Sequence, residues 1–334
     1  MLPEELIAQT PIEPRDSARL LVDSLTEIQH RHVSDIVEYL RAGDVLVVNH
    51  TRVLPARLKL KRRTGGAVEV LLLEERDADQ MQWEALVRPG GKLSPGEELL
   101  DNTGSVMLRI GQRTDAGDTF FVQFVARTHE DMMQRIMEGG EMPLPPYITT
   151  ALVDQSRYQT VFAHDQKSSA APTAGLHFTP ELLARIREAG VEIREVELVV
   201  GLDTFKPISV DNPLDHLIHT ESYRVPQSTM TACNDAHSRG ARVIAIGTTA
   251  TRALESVAKF GQLEGRTNLF ITPGFEWKVV DMMMTNFHMP RTTLLLMIQS
   301  FVGIRWRKLY EEAIAREYRM LSFGDAMLLA RRSE

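Results

Sequence analysis

Cysteine is almost absent from this sequence, which has Cys233 as the single cysteine among 334 residues. One thiol excludes an intramolecular disulfide framework and argues against a metal cluster held by thiolates. This composition fits a reducing compartment, and it predicts a cytoplasmic protein.

Long apolar runs are also lacking. The longest starts at Leu294 and is interrupted at Gln299 and Ser300, far short of the about 20 residues that a transmembrane helix needs. The first residues, Met1 to Glu5, have neither the basic region nor the apolar stretch of a secretory signal. We therefore expect no membrane insertion.

An overall positive charge is missing as well, because the formal net charge is −7, which as an average argues against a nucleic-acid partner. The distribution differs from the average, since the stretch from Arg52 to Arg63 holds basic residues and no acidic one. This run has two interpretations, the solvated face of an edge strand or a site for phosphate groups. Its basic residues are Arg52, Arg57, Lys59, Lys61, Arg62 and Arg63.

The chain shows two different patterns of predicted secondary structure. From Arg57 to about Ala126, short alternating runs separated by turn residues predict strands of a small antiparallel barrel or sandwich. After the proline-rich stretch near 143–147, strand and helix patterns alternate, which is typical of an α/β domain with a mostly parallel sheet. We predict a discontinuous α/β domain from residues 1–56 and 148–334, with a small antiparallel β-barrel domain inserted at 57–147.

The stretch from Ala170 to Pro180 combines small residues with His177, followed by Thr179 as a predicted helix N-cap. A histidine just before a helix N-terminus favours the neutral imidazole that a general base needs. The alternative is a loop histidine that bonds a carbonyl group. The stretch by itself does not decide between the two.

The stretch from Gly247 to Ser256 follows a predicted buried strand and opens a predicted helix, the position at which open α/β sheets bind ligands. Its hydroxyls and amides suit a carboxylate or a ribose, although a tight turn with capping threonines explains it equally well. Asn286 and His288, just before a further predicted helix, are candidate contacts, and the methionines at 282–284 read as core residues.

A metal site has weak support. His216 and His219 precede Glu221 at a spacing that permits metal binding, but a third ligand is not evident and such spacings are common on loops. We predict no metal requirement.

Together these stretches resemble one family, the S-adenosylmethionine:tRNA ribosyltransferase-isomerases of queuosine biosynthesis. The resemblance runs in order along nearly the whole chain. It is carried by Leu2-Pro3, 43–57, 142–148, 157–163, 170–179, 247–256, 269–274, 285–290 and 322–327.

The resemblance implies an α/β domain with an inserted β-barrel, in agreement with the two patterns of predicted secondary structure described above. It implies transfer of the ribosyl group of S-adenosylmethionine to 7-aminomethyl-7-deazaguanine at the tRNA wobble position. The products are epoxyqueuosine in the tRNA, adenine and methionine. S-adenosylmethionine is then a consumed co-substrate, no other cofactor is expected, and we expect a monomer.

Within this resemblance we assign candidate roles. His177 and His288 are candidates for proton transfer, and Glu221 is a candidate partner for the sulfonium. Candidate contacts of S-adenosylmethionine or the modified base are Asn49, Thr51, Arg52, Thr173, Gly175, Thr248, Thr249, Arg252 and Asn286. Candidate tRNA phosphate contacts are Arg57, Lys59, Lys61, Arg62 and Arg63.

The sequence departs from the family pattern at Val199, Asp203 and Lys206, where the family usually has histidine, glycine and arginine, and again around 167–169. These departures leave room for a changed acceptor. Two rivals follow, a tRNA-binding protein without catalysis on the same fold, and an enzyme that consumes S-adenosylmethionine with another acceptor.

Overall fold

The computed structural model describes residues 2–114, 117–168, 170–201, 208, 210, 212–216, 218 and 220–332. The α-helices of the described residues are α1 (His129–Gly139), α2 (Pro180–Glu188), α3 (Gln227–Ser238), α4 (Gly247–Phe260), α5 (Thr293–Val302) and α6 (Trp306–Ala315). The strands of the first half are β1 (Arg19–Asp23), β2 (Ile28–His32), β3 (Val45–Asn49), β4 (Thr51–Val53), β5 (Arg57–Arg62), β6 (Ala67–Asp77), β7 (Gln82–Arg88), β8 (Glu98–Leu100), β9 (Val106–Arg113), β10 (Phe120–Phe124) and β11 (Gly140–Glu141). Those of the second half are β12 (Asp165–Ser168), β13 (Glu192–Leu198), β14 (Glu221–Arg224), β15 (Val243–Ile246), β16 (Glu264–Thr267), β17 (Met282–Asn286) and β18 (Ala326–Ala330).

The largest sheet has nine strands in the order β16-β14-β13-β3-β15-β17-β18-β1-β2. Its centre, β13-β3-β15-β17, is parallel, and β18 is parallel to β1. The other neighbouring pairs, β16–β14, β14–β13, β17–β18 and β1–β2, are antiparallel. The sheet is therefore mixed, and the prediction of a mostly parallel sheet is not confirmed. The alternation of strands and helices holds in the central strands, but β1 and β2 are joined by a short turn that reverses the chain.

Both faces of this sheet are covered. On one face β3 and β15 pack through Val45, Val47 and Ala245 against α3, α4, α5 and α6. On the other face Leu46 and Ile246 pack with residues of α2 and of the 3-10 helix Val33–Tyr39. Because neither face of these two strands meets water, residues 45–48 of β3 and all of β15 are apolar, as in other sheets covered by helices on both sides. Strand β13 keeps charged residues in its more exposed first half.

A second sheet closes into an antiparallel barrel of six strands, β5-β6-β7-β10-β9-β8, because β8 also pairs with β5. Alternate residues fill its interior, among them Leu58, Val70, Trp83 and Val122. The predicted small antiparallel barrel is confirmed. Strand β11, which follows α1, adds to β5 at the outside.

Local capping decides several element boundaries. The Thr179 hydroxyl accepts from the Leu182 amide at 3.1 Å, and Pro180 is the first residue of α2, which confirms the predicted start of this helix. The segment Val33–Tyr39, which precedes β3, is a 3-10 helix. In the part of the chain that the structure describes, every helix is too short or too polar to cross a membrane.

Candidate active site between the barrel and the mixed sheet

A cavity of about 380 Å³, here called the main cavity, lies between the barrel and the mixed sheet. That volume lies in the range of small-molecule sites. From the barrel it is lined by Leu73, Glu74, Arg76, Glu84, Thr114 and Phe121. From the remainder of the chain it is lined by Leu198, Val199, Gly201, His216, Ile218, Thr220, Glu221, Thr248, Thr249, Arg252, Leu269, Phe270, Ile271, Thr293, Leu294 and Met297.

The sheet side of this cavity, here called the sheet wall, is built where β15 ends and α4 begins. Gly247 has a φ of 89°, which glycine adopts readily and which turns the chain from the strand into the helix. The turn places Thr248 and Thr249 against the cavity, each 8% exposed. The Thr249 hydroxyl has no hydrogen-bond partner among the described residues, so a ligand can supply one.

A buried ion pair forms the polar part of the sheet wall. Arg252 of α4 and Glu221 of β14 are each 7% exposed, and the guanidinium donates to Glu221 Oε2. Glu221 Oε1 accepts from the Gly201 amide at 3.1 Å, and Arg252 Nη2 donates to the Thr267 carbonyl at 3.2 Å. The sequence candidates Glu221, Thr248, Thr249 and Arg252 are thus brought together. Apolar side chains, including Phe270 and Met297, complete this wall.

The barrel side, here called the barrel wall, holds residues that the sequence analysis missed. Glu74 of β6, Glu84 of β7 and Phe121 of β10 lie opposite one another in register across three strands. Arg76 connects the two carboxylates, with Nη1 at 3.1 Å from Glu74 and Nε donating to Glu84 at 3.0 Å. The available signal was the alternation of β7, where Glu84 sits between the inward residues Trp83 and Ala85.

A smaller cavity of about 40 Å³, here called the inner cavity, adjoins the main cavity and shares Thr248 and Thr249 with it. Thr173, Asn286 and His288 line it. Thr173 donates to Asn286 Oδ1 at 3.0 Å, and Asn286 Nδ2 donates to the Leu321 carbonyl at 3.1 Å.

His288 keeps some surface accessible to solvent, but its ring lies in desolvated surroundings. Burial lowers the pKa of His288 to about 3, so the imidazole is neutral near pH 7. Its Nε2 lies 2.8 Å from the Thr285 hydroxyl. A pKa this low suits hydrogen bonding to a ligand better than the general-base catalysis that favours a pKa near 7.

His177 lies outside both larger cavities, beside a small one of about 20 Å³ that Arg15 and Gly324 also line. Its Nδ1 is 3.0 Å from the Ala174 carbonyl and its Nε2 is 2.9 Å from the Gly324 carbonyl. These contacts fit the loop anchor, which was the alternative to a general base. The proton-transfer role stays a prediction.

Other candidates serve the backbone around the site. A Cβ atom on Gly175 would lie 2.7 Å from the Phe162 ring. The space beside this glycine is therefore occupied by a side chain of the protein. The Asn49 amide donates to the Leu198 carbonyl at 2.9 Å and thereby joins β3 to β13. Thr51 is buried and Arg52 is exposed, and neither lines the main cavity.

Within the basic run, Arg57–Arg62 forms β5, along which buried residues alternate with more exposed ones. Four cations of the run have carboxylate partners on neighbouring strands or next to them, which the run itself does not reveal. The pairs are Arg57–Glu69 at 2.9 Å, Lys59–Glu141 at 2.7 Å, Arg62–Glu97 at 2.5 Å and Arg63–Glu98 at 2.6 Å. Phosphate binding there stays a prediction, with Lys61 the run's remaining exposed cation on β5.

The described residues contain one group that could hold a metal ion, in which the donor atoms of His50, His164 and Glu195 lie within 4.8 Å of one another. None of the three lines the main cavity. His219, Asp203 and Lys206 lie outside the described residues, whereas Val199 is buried and lines the main cavity.

Comparison with known proteins shows one family of similar sequences and structures. The family model described as "Queuosine biosynthesis protein" matches residues 1–329. The S-adenosylmethionine:tRNA ribosyltransferase-isomerase of Symbiobacterium thermophilum is 46% identical over 336 residues, covering 98% of this chain and 97% of that protein. The protein of the same name from Staphylococcus aureus strain JH9 is 47% identical over 339 residues, with coverage of 98% and 97%. The crystal structure of the S-adenosylmethionine tRNA ribosyltransferase of Thermotoga maritima is 37% identical, covers 98% of both chains and superposes with a TM-score of 0.55.

Proposed function

This chain belongs to the queuosine biosynthesis protein family, and we propose from this that the main cavity is its active site. The protein transfers the ribosyl group of S-adenosylmethionine to 7-aminomethyl-7-deazaguanine in tRNA and isomerises it to epoxyqueuosine, with release of adenine and methionine. The observation that carries the assignment to this cavity is the meeting of the Glu221–Arg252 pair and Thr249 at one wall.

The sheet wall suits S-adenosylmethionine. The amino-acid end of this co-substrate is a zwitterion, and the Arg252–Glu221 pair offers a cation for its carboxylate and an anion for its ammonium or sulfonium group. The hydroxyls of Thr248 and Thr249 suit ribose oxygens. The apolar side chains of Phe270 and Met297 suit the adenine ring.

Proton transfer in this reaction has to remove a proton from the ribose carbon next to the sulfonium and to assist the departing adenine. We propose His288 as a neutral hydrogen-bonding group beside the inner cavity and Glu221 as the group that faces the sulfonium. The catalytic role of His177 requires its ring to leave at least one of its two carbonyl contacts.

We further propose a cytoplasmic monomer that binds tRNA and needs neither a resident cofactor nor a metal ion. Phosphate contacts along β5 would place the anticodon arm beside the barrel. The barrel strands β6, β7 and β10 would then face the modified base.

The test is to incubate the purified protein with S-adenosylmethionine and to follow adenine by chromatography. We expect stoichiometric adenine and methionine when tRNA carrying 7-aminomethyl-7-deazaguanine is present, and neither product with unmodified tRNA. Adenine release at the same rate without tRNA would instead indicate another acceptor. Tight tRNA binding without any adenine would indicate a binding protein.

A further inference from the structure

We infer that the barrel wall recognises the cationic amine of the acceptor, with Glu84 binding the aminomethyl group and Phe121 contacting the deazaguanine ring. This inference rests on the proposed function and assigns one substrate to each wall of the main cavity.

The position of Glu84 in the barrel is the first observation. On β7 the neighbours Trp83 and Ala85 fill the barrel interior, so Glu84 points outward. An outward carboxylate on a barrel strand is ordinarily hydrated. Glu84 is only 8% exposed, its partners Arg76 and Thr119 belong to the barrel, and it lines the main cavity, to which the remainder of the chain contributes the opposite wall.

The hydrogen bonds of Glu84 leave room for a ligand. Its Oε2 accepts from Arg76, and its Oε1 accepts from the Thr119 hydroxyl at 2.7 Å. A carboxylate oxygen can accept two hydrogen bonds. Among the described residues Thr119 is the one donor to Oε1, which therefore keeps a lone pair for a further donor.

The two carboxylates of the row differ in the number of their cationic partners. Glu74 and Glu84 lie opposite each other, an arrangement that is unfavourable between like charges. Arg76 contacts both, while Arg266 contacts Glu74 and not Glu84. Glu74 thus has two cationic partners and Glu84 has one, so Glu84 is the carboxylate of the pair with room for a ligand ammonium.

The acceptor has the matching shape. Its primary alkyl amine, like that of lysine, is protonated near pH 7 and stands one carbon beyond an aromatic ring. Phe121 lies directly opposite Glu84 in the register of β10 and β7, so an aromatic surface adjoins the carboxylate. Stacking on such a ring and a charge-assisted hydrogen bond are compatible in one pose.

The decisive experiment combines Glu84→Gln with two acceptors, tRNA carrying 7-aminomethyl-7-deazaguanine and the same tRNA carrying 7-methyl-7-deazaguanine, which lacks the amine. Loss of a charge-assisted hydrogen bond should weaken binding of the aminomethyl acceptor by roughly 10- to 100-fold. Binding of the methyl acceptor and the KM for S-adenosylmethionine should stay within about 2-fold. Glutamine keeps an acceptor for Thr119, so the fold should tolerate the change.

Glu75→Gln is the matched control, because Glu75 is on β6 and bonds His129 at 2.8 Å, away from the main cavity. Glu75→Gln should change neither the affinity for the acceptor nor the affinity for S-adenosylmethionine. If Glu84→Gln weakened the binding of S-adenosylmethionine and left the binding of the acceptor unchanged, the inference would be overturned and Glu84 would be assigned to the sulfonium. Equal affinity of the unaltered protein for the two acceptors would also overturn it, even if the variant does not fold. Absence of adenine release by the unaltered protein would instead count against the proposed function.

Discussion

The sheet wall and the barrel wall of the main cavity are built differently. Thr248, Thr249 and Arg252 of the sheet wall follow one another on a single turn and helix, so these three are close in the sequence, and Glu221 joins them from β14. Glu74, Glu84 and Phe121 of the barrel wall come from three strands and meet because of strand register. A motif can therefore reveal the first wall, whereas the second is visible only after the barrel is closed and docked.

The largest expected effect is at the ion pair of the sheet wall. Arg252→Met should lower the free energy of unfolding by about 3–5 kcal/mol, because it leaves the Glu221 carboxylate buried without its partner. The double change Glu221→Leu with Arg252→Met should recover most of this stability without recovering S-adenosylmethionine binding. Urea unfolding and calorimetric titration test both parts. A single variant as stable as the unaltered protein would show that the pair is solvated.

The effect of replacing His177 should show whether this residue belongs to the active site or only holds the loop behind the two walls. Removing its contacts with two buried carbonyls should cost about 1–3 kcal/mol of stability in His177→Ala. If the ring only anchors the loop, the folded variant should release adenine within about 10-fold of the normal rate. A loss of roughly 10²–10⁴-fold at normal stability is what a proton-transfer group would give, and it would move His177 into the active site.

His288, beside the inner cavity, should make the free energy of unfolding decrease as the pH falls. Its pKa is lowered to about 3 in the folded protein, against about 6.5 in the unfolded chain, so the unfolded state binds the proton first as pH falls. The stability that this neutral ring supplies is complete above pH of about 6.5 and is lost at up to about 1.4 kcal/mol per pH unit below it. His288→Asn should remove this part of the slope when unfolding is compared at pH 7 and pH 5. Identical slopes in the two proteins would contradict a neutral buried His288.

The smallest effect is expected at the basic strand of the barrel. Lys61→Ala should reduce the salt slope of tRNA binding by about 0.7–0.9, the amount for one lost phosphate contact. Arg62→Ala is the control and should change it less, because Glu97 already holds its guanidinium at 2.5 Å. Equal slopes for Lys61→Ala and the unaltered protein would make β5 a solvated face.

The sequence predicted the parts of the fold that depend on local pattern. The alternation in β5 and the N-cap at Thr179 were both readable from neighbouring residues. Strand direction outside the parallel centre was not, because the antiparallel pairing of β17 with β18 depends on residues about 40 positions apart. The carboxylates opposite the basic run were missed for the same reason, since Glu97 and Glu98 reach β5 only through barrel closure.

For the site, sequence reasoning identified Glu221, Thr248, Thr249 and Arg252, which the structure places along one wall. The barrel wall carried no motif that distinguishes its glutamates from other exposed ones on strands. Its signal was a charged residue at an outward position, and its place in the wall of a cavity follows only from the arrangement of the barrel and the remainder of the chain.

The most direct test of the sheet wall as the S-adenosylmethionine site is the dissociation constant of S-adenosylmethionine for Thr249→Val, measured by calorimetry without tRNA. The Thr249 hydroxyl is buried without a protein partner among the described residues, so valine should leave the protein as stable as before, or more so. We predict that binding weakens by about 2- to 12-fold, the range for one lost neutral hydrogen bond, while Glu84→Gln binds S-adenosylmethionine normally. Unchanged affinity in Thr249→Val together with weakened affinity in Glu84→Gln would contradict the assignment of the two walls.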